Sequence, residues 1–178
     1  MASQQTLSVA DRRLLALWAA DCAERVLPLL EAETPTDNRA RDGIARARAF
    51  ARGERTAAEE IRQRFVAGRA AQSATSPAAV AAARSAGQAS GVAHMGAHAL
   101  GAAAYAAKAA GLAAPENPEA RQDEMRWQLD HMTPQVRTAL RRLPAIGDDS
   151  RGPLGPGLLA SGVLGETIRE IQAALLEG

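Results

Sequence analysis

An all-α fold, a compact multi-helix bundle, is what this sequence predicts, and three observations carry the prediction. Hydrophobic residues make up 47% of the chain but aromatics only 3%, so alanine and leucine must supply most of the core. Alanine is the strongest helix former, and its small side chain lets helices approach closely. No convincing run of polar–apolar alternation appears, so no half-buried strand is indicated. Helix start signals recur instead: a capping side chain followed by proline, or by glutamate three residues on.

The first helix starts at the capping Ser8 and runs to about Glu31. Leu14, Leu15, Trp18, Cys22, Val26 and Leu29 fall within about one third of its circumference, an amphipathic stripe. Pro28 should kink this helix or divide off its last turn. Thr34-Pro35-Thr36-Asp37 is a break, and Asp37 or Thr36 caps a second helix that runs to about Arg52 and ends at Gly53. Thr56 and Glu59 have capping-box spacing and open a third helix, which packs through the few apolar residues Ile61, Phe65 and Val66. Ser76-Pro77 is a strong start for an alanine-rich segment unbroken as far as Ala114. That is long for one globular helix, and Gly87-Gln88-Ala89-Ser90-Gly91 is where it would split. Asn117-Pro118 begins a helix ending near Met132, and Thr133-Pro134 a short one to Leu143.

From Pro144 to Gly157 the chain carries three prolines and four glycines, the composition of a linker or an extended wrap. Beyond it Leu164, Ile168, Ile171 and Leu175 recur at spacings of 4, 3 and 4, a narrow seam suited to docking in a groove. That groove belongs either to the same bundle, the favoured reading, or to a second copy in a homodimer. The expected organisation is a bundle domain over residues 1–143, a Pro/Gly-rich linker over 144–157 and a C-terminal amphipathic helix over 158–178.

Charge excludes some functions. The 21 basic and 20 acidic residues leave a formal net charge of +1, and no dense basic stretch interleaves with aromatics, so nucleic-acid binding is unsupported. Lys108 is the only lysine, and arginine with alanine and glycine in such excess suggests a GC-rich bacterial coding sequence. Cys22 is the only cysteine, which excludes an intrachain disulfide and fits a reducing compartment. Met1-Ala2-Ser3-Gln4-Gln5 lacks a secretory pattern, and the most apolar window, Ala93 to Ala114, is interrupted by His94, His98 and Lys108. A cytoplasmic protein without a membrane span is expected.

Gly87, Gly91, His94, His98, Gly101 and Tyr105 share one helical stripe, spaced 4, 3, 4, 3 and 4 apart. Glycine costs roughly 0.5–1 kcal/mol relative to alanine in a helix, so three on one face suggest close approach by a partner helix or a ligand. His94 and His98, four residues apart, have the spacing at which two imidazoles can share a metal. His131 is the remaining histidine to complete such a site, with Asp21, Glu24 and Glu124 reachable in principle. Positions 95 to 97 are Met95, Gly96 and Ala97, so the zincin glutamate is missing. Three readings of the pair stay open: a structural one, a divalent-metal site and a metal-free ligand pocket. Cys22 lies centrally on the apolar stripe and reads as a packing residue, and Asp21 has Arg25 one turn on as an ordinary ion-pair partner. Trp127, His131 and Glu124 share one side of their helix, while Met125, Leu129 and Met132 form another. There is no phosphate-binding glycine loop and no nucleophile elbow.

Three stretches resemble the Imm-5-like immunity proteins of bacteria. Ala19-Ala20-Asp21-Cys22-Ala23-Glu24-Arg25-Val26-Leu27-Pro28 is similar to that family's opening motif. Ala81 to Gly87, then Ala93-His94 and Gly96-Ala97-His98-Ala99, continuing through Gly101 to Tyr105-Ala106-Ala107-Lys108-Ala109, resembles its central motif. Glu124-Met125-Arg126-Trp127-Gln128 is similar to the motif that follows, and the whole resemblance spans about Ser8 to Leu143. It implies a cytoplasmic helical protein that binds a partner, a toxin, without turning over substrate and without a cofactor. Asp21, Cys22, His94, His98, Tyr105, Trp127 and Gln128 match the family pattern and, with Trp18, are the candidate ligand- or partner-binding residues. No catalytic residue is implied. A metal-dependent protein built on His94, His98 and His131, and a small-molecule-binding helical protein, are the alternatives.

Overall fold

The computed structural model describes residues 3–177. Eight α-helices and two short 3-10 turns account for the regular structure among them, and none of those residues forms a strand. The helices are α1 (Val9–Glu31), α2 (Arg39–Ala51), α3 (Ala57–Gln63), α4 (Pro77–Gly91), α5 (His98–Ala113), α6 (Ala120–Asp130), α7 (Pro134–Leu140) and α8 (Gly162–Glu177). One 3-10 turn, Ala67–Ser73, joins α3 to α4, and the other, Leu158–Ala160, precedes α8.

Local cap chemistry sets most helix starts. The backbone N–H of Asp11 donates to Ser8 Oγ at 3.0 Å, that of Ala79 to Ser76 Oγ at 3.1 Å and that of Val136 to Thr133 Oγ1 at 3.1 Å. Thr56 and Glu59 close a full capping box. Asn38 precedes α2 without a side-chain cap, and the Asp37 carboxylate takes that part by accepting from the Arg39 N–H at 3.1 Å. Gly53, at φ +80°, lies just beyond the end of α2 in a conformation that disfavours a side chain.

Helix α1 packs against α2, α4, α5 and α7. Leu15, Trp18, Cys22 and Val26 of the expected stripe are buried and Leu29 is half-buried, but Leu14 is 39% exposed. It borders a shallow groove with Pro134 and Thr138 of α7, a short helix that leaves the edge of the stripe uncovered. The expected division at Pro28 does not occur. Pro28 is exposed, and the chain stays helical past it, the Ala32 N–H donating to Pro28 O at 3.0 Å. The expected packing face of α3 is also corrected. Phe65 is 61% exposed, and the buried side chain of this helix is Glu60, 2% exposed and paired with Arg55 and, at 3.7 Å, with Arg46. Two guanidiniums draw this carboxylate inward where apolar residues are too few to do the packing.

The alanine-rich segment divides into the antiparallel pair α4 and α5. The break falls after Gly91, over residues 92–97, and a contact distant in sequence holds it: Gly96 N–H donates to Thr6 O and Ala97 N–H to Gln5 O, both at 3.1 Å. The single stripe through Gly87 and Tyr105 therefore does not exist. Helix α5 is buried almost all round, from Ala99 to Ala107, between α1, α4, α6 and α8. Its alanines permit that crowding.

The Pro/Gly-rich segment folds back against the bundle, burying Ile146 and Leu154. Gln5, fully buried, ties it down: its amide Nε2 donates to Asp149 Oδ2 at 2.8 Å, and its Oε1 accepts from the Leu154 N–H at 2.9 Å. Helix α8 docks its seam of Leu164, Ile168, Ile171 and Leu175 on this chain's own α5, α6 and α7. Arg121 holds it by donating to Thr167 Oγ1 at 2.9 Å, and Arg141 by donating to Leu175 O at 2.6 Å.

Candidate functional site

Two surface features collect side chains that no packing argument requires. The first is a cleft of about 380 Å³ beside the α4–α5 pair, walled by the end of α3 and the first 3-10 turn. Its floor is α4, where Gly87 lies so close to Gly68 of the turn that a Cβ on Gly87 would sit 2.8 Å from Gly68 Cα. Gly91 makes room for an imidazole, since a Cβ there would lie 2.9 Å from the His98 ring. Gly101 does the same for the Gln88 amide. The three glycines thus do serve close approach, to a backbone and to two polar side chains, but from two antiparallel helices.

His98 and Gln88 hydrogen bond inside this cleft, Nδ1 to Oε1 at 2.8 Å. The amide oxygen can only accept, so Nδ1 carries the proton and Nε2 is left as an acceptor. Burial pushes the His98 pKa down to about 4, with a smaller contribution from His94, so the ring is neutral near pH 7. His94 lies in the turn between the helices, exposed, its pKa lowered by partial burial and by the nearby charges of Arg64 and Arg12. The two histidines are therefore not one turn apart on a single helix. Three arginines, Arg64, Arg69 and Arg84, line the cleft, with Gln72 and the exposed ring of Phe65. The Arg64 guanidinium stacks over that ring, 4.4 Å from its centre. Among the described residues no carboxylate lines the cleft.

The second feature is a stack on the outer face of α1 and α6. The rings of Trp127 and His131 are parallel within 21°, their centres 3.9 Å apart, and the Arg25 guanidinium lies 3.9 Å from the centre of the Trp127 ring. The buried Glu124 carboxylate fixes Arg25, whose Nε donates to it at 2.8 and 3.1 Å. His131 is held by its Nδ1, 2.8 Å from Trp127 O. Each group is thus pre-set by a neighbour while Trp127 stays partly exposed and His131 exposed. Asp21, one turn before Arg25 on α1, and Glu24, next to Arg25 in sequence, both accept from Arg48 of α2 at 2.7 Å.

The remaining candidates are interior. Trp18 is buried and its Nε1 donates to Gln128 O at 3.0 Å; Gln128 in turn donates through Nε2 to Ala103 O at 3.0 Å. These bonds pin α1, α6 and α5 together. Tyr105 is buried, and burial raises its pKa. Cys22 is completely buried, and its thiol is pushed well up by burial first, then by Glu124 and Asp21. A thiol in that state is a poor nucleophile.

The expected site residues consequently divide: His98 at the cleft and His94 in the turn between α4 and α5; Trp127, and Asp21 one turn before Arg25, on the outer face; Trp18, Cys22, Tyr105 and Gln128 inside. Among the described residues no group of three or more histidine, cysteine, aspartate and glutamate side chains is placed to hold a metal ion. The residues that sequence reading missed are the arginines of the cleft. One signal was present: Arg84 lies one turn before Gln88 and two before Gly91, on the same face of α4.

A family model described as "Imm-5 like putative immunity protein" matches residues 5–135, a span containing both features. No curated protein and no solved structure matches the chain. No helix among the described residues is long and apolar enough to cross a membrane.

Proposed function

The chain belongs to the Imm-5 like family of immunity proteins, and from that premise we propose that it neutralises a toxin by binding it, without catalysis, in the bacterial cytoplasm. The observation that carries this reading is the Arg25–Trp127–His131 stack. Tryptophan, tyrosine and arginine are the side chains that dominate protein–protein binding energy, above all when held rigid before the partner arrives. Here Glu124 fixes Arg25, Arg25 covers one part of Trp127, and the Trp127 carbonyl holds His131. Little conformational freedom remains to be lost on docking. Asp21 and Glu24 of α1, both paired with Arg48 of α2, give the anchor a charged rim. With a net charge of +1, association relies on this local pattern rather than on a strong overall field.

Co-expression tests the reading. Toxin domains encoded beside this gene are induced in a host with the wild-type chain, with Trp127→Ala or with Arg25→Ala, and growth is followed. Wild type restores growth against its cognate toxin, and both variants, folded by circular dichroism, lose that protection. Failure of the wild type against every such toxin refutes toxin neutralisation. Full protection by both variants refutes the assigned face.

A further inference from the structure

We propose that the cleft between α3, the first 3-10 turn and α4 binds a small phosphoryl anion, a function separate from toxin binding and independent of it. Arg25, Arg39, Arg41, Arg48, Arg55 and Arg142 each lie within hydrogen-bonding distance of a carboxylate. Ten of the 20 arginines pair with a carboxylate and ten, Arg64, Arg69 and Arg84 among them, pair with none among the described residues; these three are the unpaired ones that line one cleft. Three like charges gathered in one concavity repel each other, and an anion seated among them removes that repulsion.

Size and donor geometry narrow the anion. At about 380 Å³ the cleft falls in the range of small-molecule sites, roughly 300–1,000 Å³, and is too small for a folded element of a partner. A guanidinium presents a planar fork of donors matched to the oxygens of phosphate or carboxylate. Three guanidiniums exceed what one singly charged carboxylate can satisfy, whereas a phosphoryl group carries up to two charges and three terminal oxygens. Arg64 is already oriented, donating through Nη1 to Ile61 O at 2.7 Å and lying against Phe65. Gly68, Gly87 and Gly91 line the cleft as well, the space beside Gly87 filled by Gly68 and that beside Gly91 by the His98 ring. His98, with Nδ1 committed to Gln88, offers Nε2 as an acceptor for a hydroxyl of the ligand.

The test is a titration of the full chain with inorganic phosphate at constant ionic strength, followed by amide NMR shifts. A second arm uses glycerol 3-phosphate, a third acetate. Wild type is compared with the double variant Arg69→Gln/Arg84→Gln and with Arg62→Gln, an exposed arginine of α3 that does not line the cleft. The amides of Gly68, Gly87 and Gly91 shift and saturate with phosphate, and the double variant, folded because both side chains are exposed, weakens binding by at least about tenfold. Arg62→Gln leaves binding unchanged. Tighter saturation by glycerol 3-phosphate identifies a phosphomonoester as the ligand, and tighter saturation by phosphate identifies the free ion. The proposal is overturned if phosphate produces no saturable shift, if acetate binds as well as phosphate, or if Arg62→Gln weakens binding as much as the double variant.

Discussion

Replacing Gly87 with alanine should destabilise this protein, against the helix preference of the two residues. Inside an exposed helix the change would favour folding by about 1 kcal/mol. At Gly87 the added Cβ would lie 2.8 Å from Gly68 Cα and 3.1 Å from Gly68 N. Carbon atoms rest comfortably at roughly 3.5–4.0 Å, so the overlap approaches 1 Å. Both opposing atoms are main chain, and no side chain can swing aside. Overpacking typically costs about 1–3 kcal/mol, and a clash between two backbones belongs at the upper end of that range. Subtracting the propensity gain leaves a net loss of about 1–2 kcal/mol, or a fall in Tm of roughly 2–8 °C for a chain of this size. Gly111→Ala is the matched control. Its Cβ would meet Arg121 Cβ at 3.3 Å and the Arg121 backbone only at 3.9 Å, near the end of α5, so any fall in Tm should be smaller than at Gly87. Thermal unfolding followed by circular dichroism reads both. A Gly87→Ala variant as stable as Gly111→Ala refutes the close contact between α4 and the 3-10 turn, and with it the shape of the cleft.

Other consequences can be measured on the same preparation. His98 titrates at about 4 in the folded chain against an ordinary 6.5, so the unfolded chain takes up the proton first as pH falls. The penalty is absent above pH 6.5 and grows to roughly 3 kcal/mol by pH 4, and His98→Gln should flatten that part of a urea-denaturation pH profile; an unchanged slope refutes a buried neutral ring. Glu60→Ala leaves Arg46 partly buried without its carboxylate and should cost about 3 kcal/mol by urea denaturation, an effect below 1 kcal/mol contradicting the buried pairing. Cys22 should resist a thiol reagent such as Ellman's at pH 8 in the native state and react at once in denaturant; rapid native labelling would contradict its burial.

What the sequence made legible was local. Ser8, the Thr56–Glu59 box, Ser76-Pro77 and Thr133-Pro134 act within one turn of themselves, and each marks a helix start as read. The α8 seam was equally plain, because four apolar residues at helical spacing bury wherever a groove receives them. The end of α4 was not fixed in the same way. Glycines offered a break at several positions, and the choice was made by Gln5 and Thr6, some ninety residues away, accepting from Ala97 and Gly96. The candidate site followed the same rule. Trp18 and Gln128, 110 residues apart, are joined by one hydrogen bond that turns two binding candidates into interior struts. Arg64, Arg69 and Arg84 look like scattered solvent-facing charges in the chain and become a cluster only when the 3-10 turn folds over α4. A buried carboxylate such as Glu60 is similarly invisible until Arg46 and Arg55 are seen to converge on it.

Neutralisation by binding differs from neutralisation by catalysis in its stoichiometry, and one titration reads it. Purified cognate toxin at fixed concentration, well above the expected Kd, is mixed with increasing amounts of the chain, and residual toxin activity is measured. The account predicts a linear fall that ends at one chain per toxin, with no further gain on longer incubation. Complete protection at a small fraction of one equivalent, increasing with time, would show turnover and contradict it.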